Sequence, residues 1–188
     1  YDIAISGNHA YIANGDNGLV IVDVSTPSSP SLAGTYDTEG FALDIAISGN
    51  YAYVADGSGL VIVDVSTSSS PTLAGTYDTI GYANGVAVSG NYAYVAGDSK
   101  GIFDGSNGIA VVDISNPSSP RQVGSYDSIY AYGSAVSGNY AYVADYSGLV
   151  ILDVRDPSVP VLAGSYFSNG DSNGVAVSGN YTYVADGS

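Results

Sequence analysis

The amino-acid sequence predicts an all-β chain built from repeated four-stranded antiparallel sheets, and three observations support this fold class. First, the dipeptide Gly-Asn recurs at intervals of 42, 41, 48 and 41 residues, with its glycines at positions 7, 49, 90, 138 and 179. Second, an apolar run that ends in Asp occurs once in each interval. Third, helical periodicity is absent, while Gly, Ser, Asn and Asp interrupt the apolar runs. A period of this length is typical of proteins that stack one supersecondary unit.

Each repeat contains four strand-sized segments, which we call strands A, B, C and D. In the second repeat these strands are residues 44–48, 51–55, 60–65 and 72–77. Strands A and B flank Gly49-Asn50, a dipeptide that favours a two-residue hairpin turn. All seven prolines lie in the loops between strands C and D. Since proline is excluded from central strands, this distribution indicates that the four strands pair with one another.

Strand C determines how the repeats are arranged, because it is apolar on both faces. In the second repeat Leu60 and Ile62 point one way, and Val61, Val63 and Val65 point the other way. Such a strand needs cover on both sides of its sheet, which two identical neighbouring sheets would supply. We therefore predict a single β-propeller of four-stranded blades over residues 1–188. A solenoid of β-rolls is the alternative, although its repeats are typically shorter.

The predicted repeat units are residues of about 1–40, 41–81, 82–130 and 131–170, followed by a partial unit at 171–188. The partial unit contains only strands A and B, which leaves an unpaired strand edge of the kind that natural sheets avoid. We therefore expect a piece of a longer chain in which further sequence completes a larger ring. Closure by another chain and an imperfect five-bladed ring are the alternatives.

The apolar strands carry a recognisable motif. Leu-Val-Ile-Val-Asp occurs at residues 60–64 and 19–23, with degenerate copies at 109–113 and 149–153. Over essentially all of its length the chain resembles the LVIVD-repeat family. The resemblance implies a β-propeller, commonly found in surface or secreted proteins of archaea and bacteria, and it implies no single chemistry.

The composition excludes several classes of function. The formal net charge is −15, with 18 acidic and three basic residues, so no basic stripe is available for nucleic acid. The longest apolar runs are too short for a transmembrane segment. There is no cysteine for thiol chemistry, and the only histidine, His9, stands where the other units have Tyr. A packing role for His9 is therefore expected, and no catalytic residue is predicted.

The motif aspartates are predicted to be structural. They close strand C once in each of the four complete units, and Ser or Arg follows two residues later; they are Asp23, Asp64, Asp113 and Asp153. We expect each carboxylate to accept backbone N–H bonds from the loop that follows. A similar role is expected for the aspartates in the turns between strands B and C, namely Asp56, Asp145 and Asp186.

A candidate ligand-binding face is predicted where the repeats differ from one another. Strands A and C run in the same direction, so the loops that precede them emerge on one face. The residues predicted to bind a ligand there are Phe41, Asp44, Tyr82, Asn84, Tyr130, Tyr132 and Asn173. Aromatic rings, amides and a carboxylate together suit stacking and hydrogen bonding to a sugar or a peptide. The alternative is that the aromatic residues only fill the spaces between blades.

The third unit carries an insertion of eight residues between Ala96 and Gly108. Three of its oxygen-bearing side chains, Asp98, Asp104 and Asn107, are of the type that calcium accepts as ligands. Their spacing differs from that of an EF-hand, and Asp-Gly and Asn-Gly are also ordinary turn pairs. Calcium at this insertion is therefore one hypothesis, and no other cofactor is predicted.

These observations favour a non-enzymatic β-propeller module, extracellular or on the cell surface of a prokaryote, with a structural, adhesive or assembly role. Its expected partners are other surface or extracellular proteins or glycans, and its open blade edges suggest self-association. The first alternative is a carbohydrate- or peptide-binding propeller that uses the variable face. The second is a propeller lyase or hydrolase, for which Asp2, Glu39 and Asp44 are the only acids near the predicted channel.

Overall fold

The structure is a computed structural model that describes residues 1–78, 82–97, 108–128, 130–168 and 170–187. The described residues form eighteen β-strands and no helix. The first unit contains β1 (Ile3–Ser6), β2 (His9–Ala13), β3 (Leu19–Asp23) and β4 (Ser31–Tyr36). The second contains β5 (Ala42–Ser48), β6 (Tyr51–Asp56), β7 (Gly59–Asp64) and β8 (Thr72–Asp78). The third contains β9 (Ala83–Ser89), β10 (Tyr92–Gly97), β11 (Gly108–Asp113) and β12 (Arg121–Asp127). The fourth contains β13 (Ala131–Ser137), β14 (Tyr140–Asp145), β15 (Gly148–Asp153) and β16 (Val161–Phe167). The fifth, partial unit contains β17 (Asp171–Ser178) and β18 (Tyr181–Gly187).

The strands of each unit form one antiparallel sheet in the order of the sequence. Four sheets have four strands, and β17 and β18 form a sheet of two. The predicted fold class is confirmed. The first strands of successive units, β1, β5, β9, β13 and β17, contact one another and so form the inner edge of the assembly. Strand A begins at Ala42 rather than at Asp44, because Ala42 pairs with Asp56 on the far side of a bulge.

The apolar core lies between the sheets, as the two apolar faces of strand C require. Leu60 and Ile62 pack against the third unit, in one cluster with Val86, Val95 and Val112 of that unit. On the other face, Val61, Val63 and Val65 pack against the first unit, which contributes Leu19 and Ile21. Burial of a Val or Leu side chain contributes about 1.5–3 kcal/mol. Strand C of the second unit is therefore an apolar link between its own unit and both neighbours.

Close backbone contact joins the outer edges of neighbouring sheets. A Cβ atom on Gly34, Gly75 or Gly124 would lie 2.2–2.3 Å from a carbonyl oxygen in the C–D loop of the next unit. These oxygens belong to Ser68, Pro117 and Pro157. Only glycine allows this approach, so the glycine in strand D forms a notch that receives the neighbouring loop.

The motif aspartates have the structural role that the sequence predicts. The backbone N–H groups of Ser25, Ser66 and Ser115 donate to the Oδ1 atoms of Asp23, Asp64 and Asp113 at 2.8, 2.8 and 3.0 Å. In the fourth unit, Arg155 N–H donates to Asp153 Oδ1 at 3.1 Å. The side-chain and backbone groups of the same residues lower the pKa of each of these four aspartates.

His9 takes part in packing. It pairs with Ser6 on β1 and with Asp23 on β3, and its ring centroid lies 6.2 Å from that of Tyr11. Its side chain is half-buried. This agrees with the role expected from its equivalence with Tyr in the other units. Among the residues that the structure describes, no helix is long and apolar enough to cross a membrane.

Candidate functional site

A cavity of about 430 Å³ lies on the inner edge of the assembly, where the first strands of all five units begin. We call it the axial cavity. Its lining residues with polar or aromatic side chains are Tyr1, Asp2, Asp44, Asn84, Tyr132, Ser134 and Asn173. Four of the predicted ligand-binding residues, Asp44, Asn84, Tyr132 and Asn173, are therefore brought together in one place.

The lining side chains come from equivalent positions of the repeat. Leu43, Asn84, Tyr132 and Asn173 each follow the first or second residue of an inner strand, and each falls where the strand pairing shifts by one residue. Each is thus the extra residue of a β-bulge. A bulge bends its strand and redirects one side chain, and bulges are common beside functional sites. Four units therefore each present one bulged residue to the cavity.

The residue that follows the bulged residue is glycine in three units, where the inner strands approach one another closely. Gly85, Gly133 and Gly174 follow the bulged residues in β9, β13 and β17. A Cβ atom on Gly85 would lie 2.8 Å from the Cα atom of Gly133 and 3.3 Å from Asp44 Oδ2. The glycine at this position leaves the space that the Asp44 carboxylate enters.

Asp44 connects two neighbouring units through its carboxylate. Its Oδ1 atom accepts a hydrogen bond from the backbone N–H of Ile45 at 2.9 Å, and its Oδ2 atom accepts one from Val86 N–H on β9 at 2.7 Å. The neighbouring Asp2 side chain raises the pKa of Asp44.

Burial is the main reason that the pKa of Asp44 is raised to about 7, and the Asp2 carboxylate raises it further. The two backbone N–H groups act in the opposite direction. Near neutral pH the Asp44 side chain therefore changes between its protonated and its ionised form. The axial cavity thus contains one carboxyl group, that of Asp44, whose pKa lies near neutral pH.

The amide side chains are held in fixed orientations. Asn84 Nδ2 donates to the backbone carbonyl of Ala131 at 3.3 Å, and Asn173 Nδ2 donates to that of Asp171 at 3.1 Å. Ser134 Oγ donates to the carbonyl of Tyr94 at 3.0 Å. Polar groups fixed in this way are suited to hydrogen bonding with a ligand in one orientation.

The other three predicted residues, Phe41, Tyr82 and Tyr130, do not line the axial cavity. They lie over the turns between strands B and C: a Cβ atom on Gly57 would be 3.3 Å from the Tyr82 ring, and the Tyr130 ring centroid is 6.0 Å from that of Tyr146. Phe41 packs against Tyr1 with ring centroids 5.8 Å apart and ring planes tilted by 42°. Tyr82 nevertheless keeps 58% of its surface exposed. Ligand binding by these three residues stays a prediction.

Ser134 was not among the residues predicted from the sequence. The equivalent residues in the neighbouring inner strands are Ile45, Val86 and Val175. A single polar residue at an otherwise apolar repeat position is a signal that could have identified it. The proposed calcium ligands Asp98, Asp104 and Asn107 lie outside the described residues, so that hypothesis stays a prediction. Within the described ranges no group of three or more His, Cys, Asp or Glu side chains could hold a metal ion.

Solved structures with the same architecture define the class of protein. A functionally unknown protein from Desulfotomaculum acetoxidans DSM 771 is similar with a TM-score of 0.78 and 18% identity, over 98% of this chain and 62% of that chain. The computationally designed Ika8 protein is similar with a TM-score of 0.74 and 12% identity, over 98% and 54% of the two chains. The Pan2 WD40 domain of Neurospora crassa is similar with a TM-score of 0.71 and 17% identity, over 98% and 58%. The fold is that of a β-propeller, the class to which WD40 domains belong.

The repeat then defines the family. The LVIVD repeat matches residues 1–38, 39–79, 80–128, 130–168 and 169–188. The chain belongs to the LVIVD-repeat family, as the resemblance in its sequence indicates. It spans 54–62% of the length of the three solved chains. No curated protein sequence matches it at a significant level.

Proposed function

We propose that the chain is a non-enzymatic binding module that holds a carbohydrate or a peptide in the axial cavity. The observation that carries this proposal is the set of bulged residues: one repeat position, occupied by a leucine, a tyrosine and two asparagines, faces the same cavity from four units, and these residues are Leu43, Tyr132, Asn84 and Asn173. A repeat that keeps its scaffold and varies the residues facing one cavity has the arrangement expected of a ligand site.

The chemistry of the lining suits a polar ligand with flat apolar faces. Tyr1 and Tyr132 supply aromatic rings, and Asn84 and Asn173 supply amides that backbone carbonyl groups hold in place. Sugar rings and peptide groups both combine a surface for stacking with several hydrogen-bonding groups. A volume of about 430 Å³ is within the range of small-ligand sites and would hold one or two sugar rings or a short peptide segment.

The arrangement of the acids supports binding rather than catalysis. A general acid or base must reach the proton that it transfers. Both carboxylate oxygens of Asp44 are engaged by backbone N–H groups, at 2.9 and 2.7 Å. Glu39, the remaining acid considered for catalysis, does not line the cavity. The Asp44 carboxylate therefore serves chiefly to fix one inner strand against the next.

We further propose an extracellular or cell-surface setting in a prokaryote, with glycans or surface proteins as the partners. The family resemblance and the net charge of −15 support this setting. Fractionation of the producing cells, followed by detection of the protein in each fraction, tests it. Recovery in the cytoplasmic fraction alone would exclude this part of the proposal.

The binding proposal is tested with the intact chain on glycan and peptide arrays, followed by calorimetry on each positive ligand. Tyr132→Ala and Asn84→Ala should each weaken binding at least tenfold, whereas Tyr181→Ala, a change at an exposed residue on β18 away from the cavity, should leave it within about twofold. Each ligand should be recovered chemically unchanged after prolonged incubation. Equal affinities for all four proteins would refute the site, and turnover of the ligand would refute the non-enzymatic role.

A further inference from the structure

The A–B turn of the fifth unit carries a three-residue pattern that the axial cavity does not use. Asn180-Tyr181-Thr182 has the form Asn-X-Thr, which is an acceptor sequence for an asparagine-linked glycan when X is not proline. The form Asn-X-Ser occurs once, at Asn116, but there X is Pro117. Whether Asn180 can react depends on the place of its side chain in the fold.

Asn180 lies at the tip of a two-residue hairpin turn. Ser178 on β17 pairs with Tyr181 on β18, so Gly179 and Asn180 form the turn between them. Gly179 has a φ of +58°, a conformation that favours glycine. A Cβ atom on Gly179 would meet no described atom within 4 Å. The turn therefore projects from its sheet into open space.

The exposure of this turn is a property of the repeat and does not depend on the fifth unit being partial. The four complete units have the same Gly-Asn turn, and a Cβ atom on each of their glycines would likewise meet no described atom within 4 Å. Asn180 is exposed, and so are the equivalent asparagines of the complete units, namely Asn8, Asn50, Asn91 and Asn139. Neighbouring units thus leave the A–B turns uncovered, and a glycan attached there has space in a complete unit as well.

The side-chain amide of Asn180 is available for reaction. Within the described part of the chain it forms no hydrogen bond. Asn116, in contrast, lies in a C–D loop, where its Oδ1 atom accepts hydrogen bonds from the backbone N–H and the hydroxyl group of Ser118 at 3.4 and 2.9 Å. Pro117 also excludes Asn116 as an acceptor. The chain therefore offers one acceptor and one blocked pattern with which to compare it.

The hydroxyl residue of the acceptor pattern departs from the repeat. At the position of Thr182 the other units have alanines that are at most 4% exposed, namely Ala10, Ala52, Ala93 and Ala141. Strand B thus has a small apolar side chain at this position, and burial of a hydroxyl group is unfavourable unless it finds a partner. Packing does not explain the threonine, whereas the acceptor pattern requires a hydroxyl two residues after Asn180.

We propose that Asn180 carries an N-linked glycan, transferred outside the cytoplasm from an oligosaccharide that is bound to a lipid phosphate. Asn180 Nδ2 attacks the anomeric carbon of the first sugar. A carbon–nitrogen bond forms, and the bond from that carbon to the phosphate oxygen breaks. The lipid phosphate leaves with the electron pair of the broken bond, and Nδ2 loses one proton to a base of the transferase.

The modified turn lies at the opposite end of strand A from the axial cavity. Strand β17 runs from Asn173, which lines the cavity, to the turn at Gly179. About six residues of extended strand span about 20 Å. A glycan at Asn180 therefore leaves the axial cavity open. The inference rests on the proposed extracellular setting and does not depend on a ligand in the cavity.

The proposal is tested by mass spectrometry of the protein isolated from the cells that produce it, after cleavage on the N-terminal side of aspartate. This cleavage releases residues 171–185, which contain Asn180, and residues 113–126, which contain Asn116. The first peptide should carry the added mass of a glycan and release sugar fragment ions. The second peptide should be unmodified, because proline follows its asparagine.

Two variants at one position form a matched pair. Thr182→Ala introduces the residue of the other units, so the melting temperature should be kept while the modified fraction falls at least tenfold. Thr182→Ser keeps the hydroxyl group, so the modified fraction should stay within about threefold of the wild type.

Three results would overturn the proposal. An unmodified 171–185 peptide in protein recovered outside the cytoplasm, or equal modified fractions for the wild type and Thr182→Ala, would exclude the glycan but leave the binding site in the axial cavity untouched. Recovery of the protein in the cytoplasmic fraction alone, without the glycan, would exclude both this proposal and the extracellular setting.

Discussion

Replacement of Asp44 by Asn should remove most of the pH dependence of stability between pH 4 and pH 8. Asp44 has a pKa of about 7 in the folded protein, against an ordinary value of 3.8, mainly because it is buried. Between these two pH values the folded chain holds a proton that the unfolded chain releases. The free energy of unfolding of the wild type must therefore fall as the pH rises from about 4 to about 7, and it should level off above pH 7.

The size of this effect follows from the same pKa. A tenfold difference in proton affinity corresponds to about 1.4 kcal/mol, so a folded pKa of about 7 sets an upper limit of about 4 kcal/mol. Asp2 is exposed to water, which weakens its repulsion of Asp44. We therefore expect about 1–2 kcal/mol between pH 4.5 and pH 8. Asparagine keeps one oxygen to accept from a backbone N–H group and has no charge to desolvate, but its NH2 group cannot accept the second backbone N–H bond.

Urea unfolding of the wild type and of Asp44→Asn at half-unit steps of pH measures this difference directly. Subtraction of the two curves removes the contribution of every other titrating group. Asp2→Asn is the matched control: it removes the charge repulsion but leaves the burial, so its pH dependence should be intermediate. Parallel curves for the wild type and Asp44→Asn would show that Asp44 does not hold a proton in the folded state.

Three further predictions concern the scaffold. Gly75→Ala should lower the free energy of unfolding by about 1–3 kcal/mol, because the added Cβ atom would lie 2.2 Å from the carbonyl oxygen of Pro117. Gly164→Ala should lower it by less than about 0.5 kcal/mol, because no described atom lies within 4 Å of the added Cβ atom. Equal effects of the two substitutions in calorimetry would show that the close contact at Gly75 does not require glycine. In urea unfolding, Leu60→Ala should lower the free energy of unfolding by about 2–5 kcal/mol, because Leu60 is fully buried. Leu73→Ala should lower it by less than about 1 kcal/mol, because Leu73 is 51% exposed. The four motif aspartates have lowered pKa values, so their stabilising effect is fully present above about pH 4 and is lost as the pH falls through their folded pKa values. Asp64→Asn should therefore lower the melting temperature more at pH 7 than at pH 2, and an equal effect at both would exclude this account.

The repeated architecture could be predicted from the sequence because one pattern occurs several times. Apolar residues on both faces of strand C require two covering sheets, and Leu60 and Val61 do pack against opposite neighbours. Turn chemistry is equally local, since an Asp two residues before Ser or Arg can accept that residue's N–H within the same loop. Features that depend on a short-range pattern could therefore be predicted from the sequence.

The residues that line the axial cavity could be predicted only in part from the sequence, because their placement depends on β-bulges. Strict alternation along strand A places Phe41 and Leu43 on the same face, yet Phe41 lies over a turn and Leu43 lines the cavity. The bulge at Leu43 breaks the alternation, and it is defined only by pairing with β6. The bond between Asp44 and Val86 N–H likewise joins residues 42 positions apart. Such contacts arise from the packing of one unit on the next and have no signature within a single repeat.

The most direct test of the central claim, that the bulged residues of the inner strands form a ligand site, is an NMR titration of the isotope-labelled chain with a glycan or peptide found on the arrays. The account predicts that the side-chain amide signals of Asn84 and Asn173 shift first and saturate together, while the backbone signals of the A–B turns at Gly49 and Gly138 stay in place. Shifts confined to those turns or to the C–D loops, with the two amides unchanged, would contradict it.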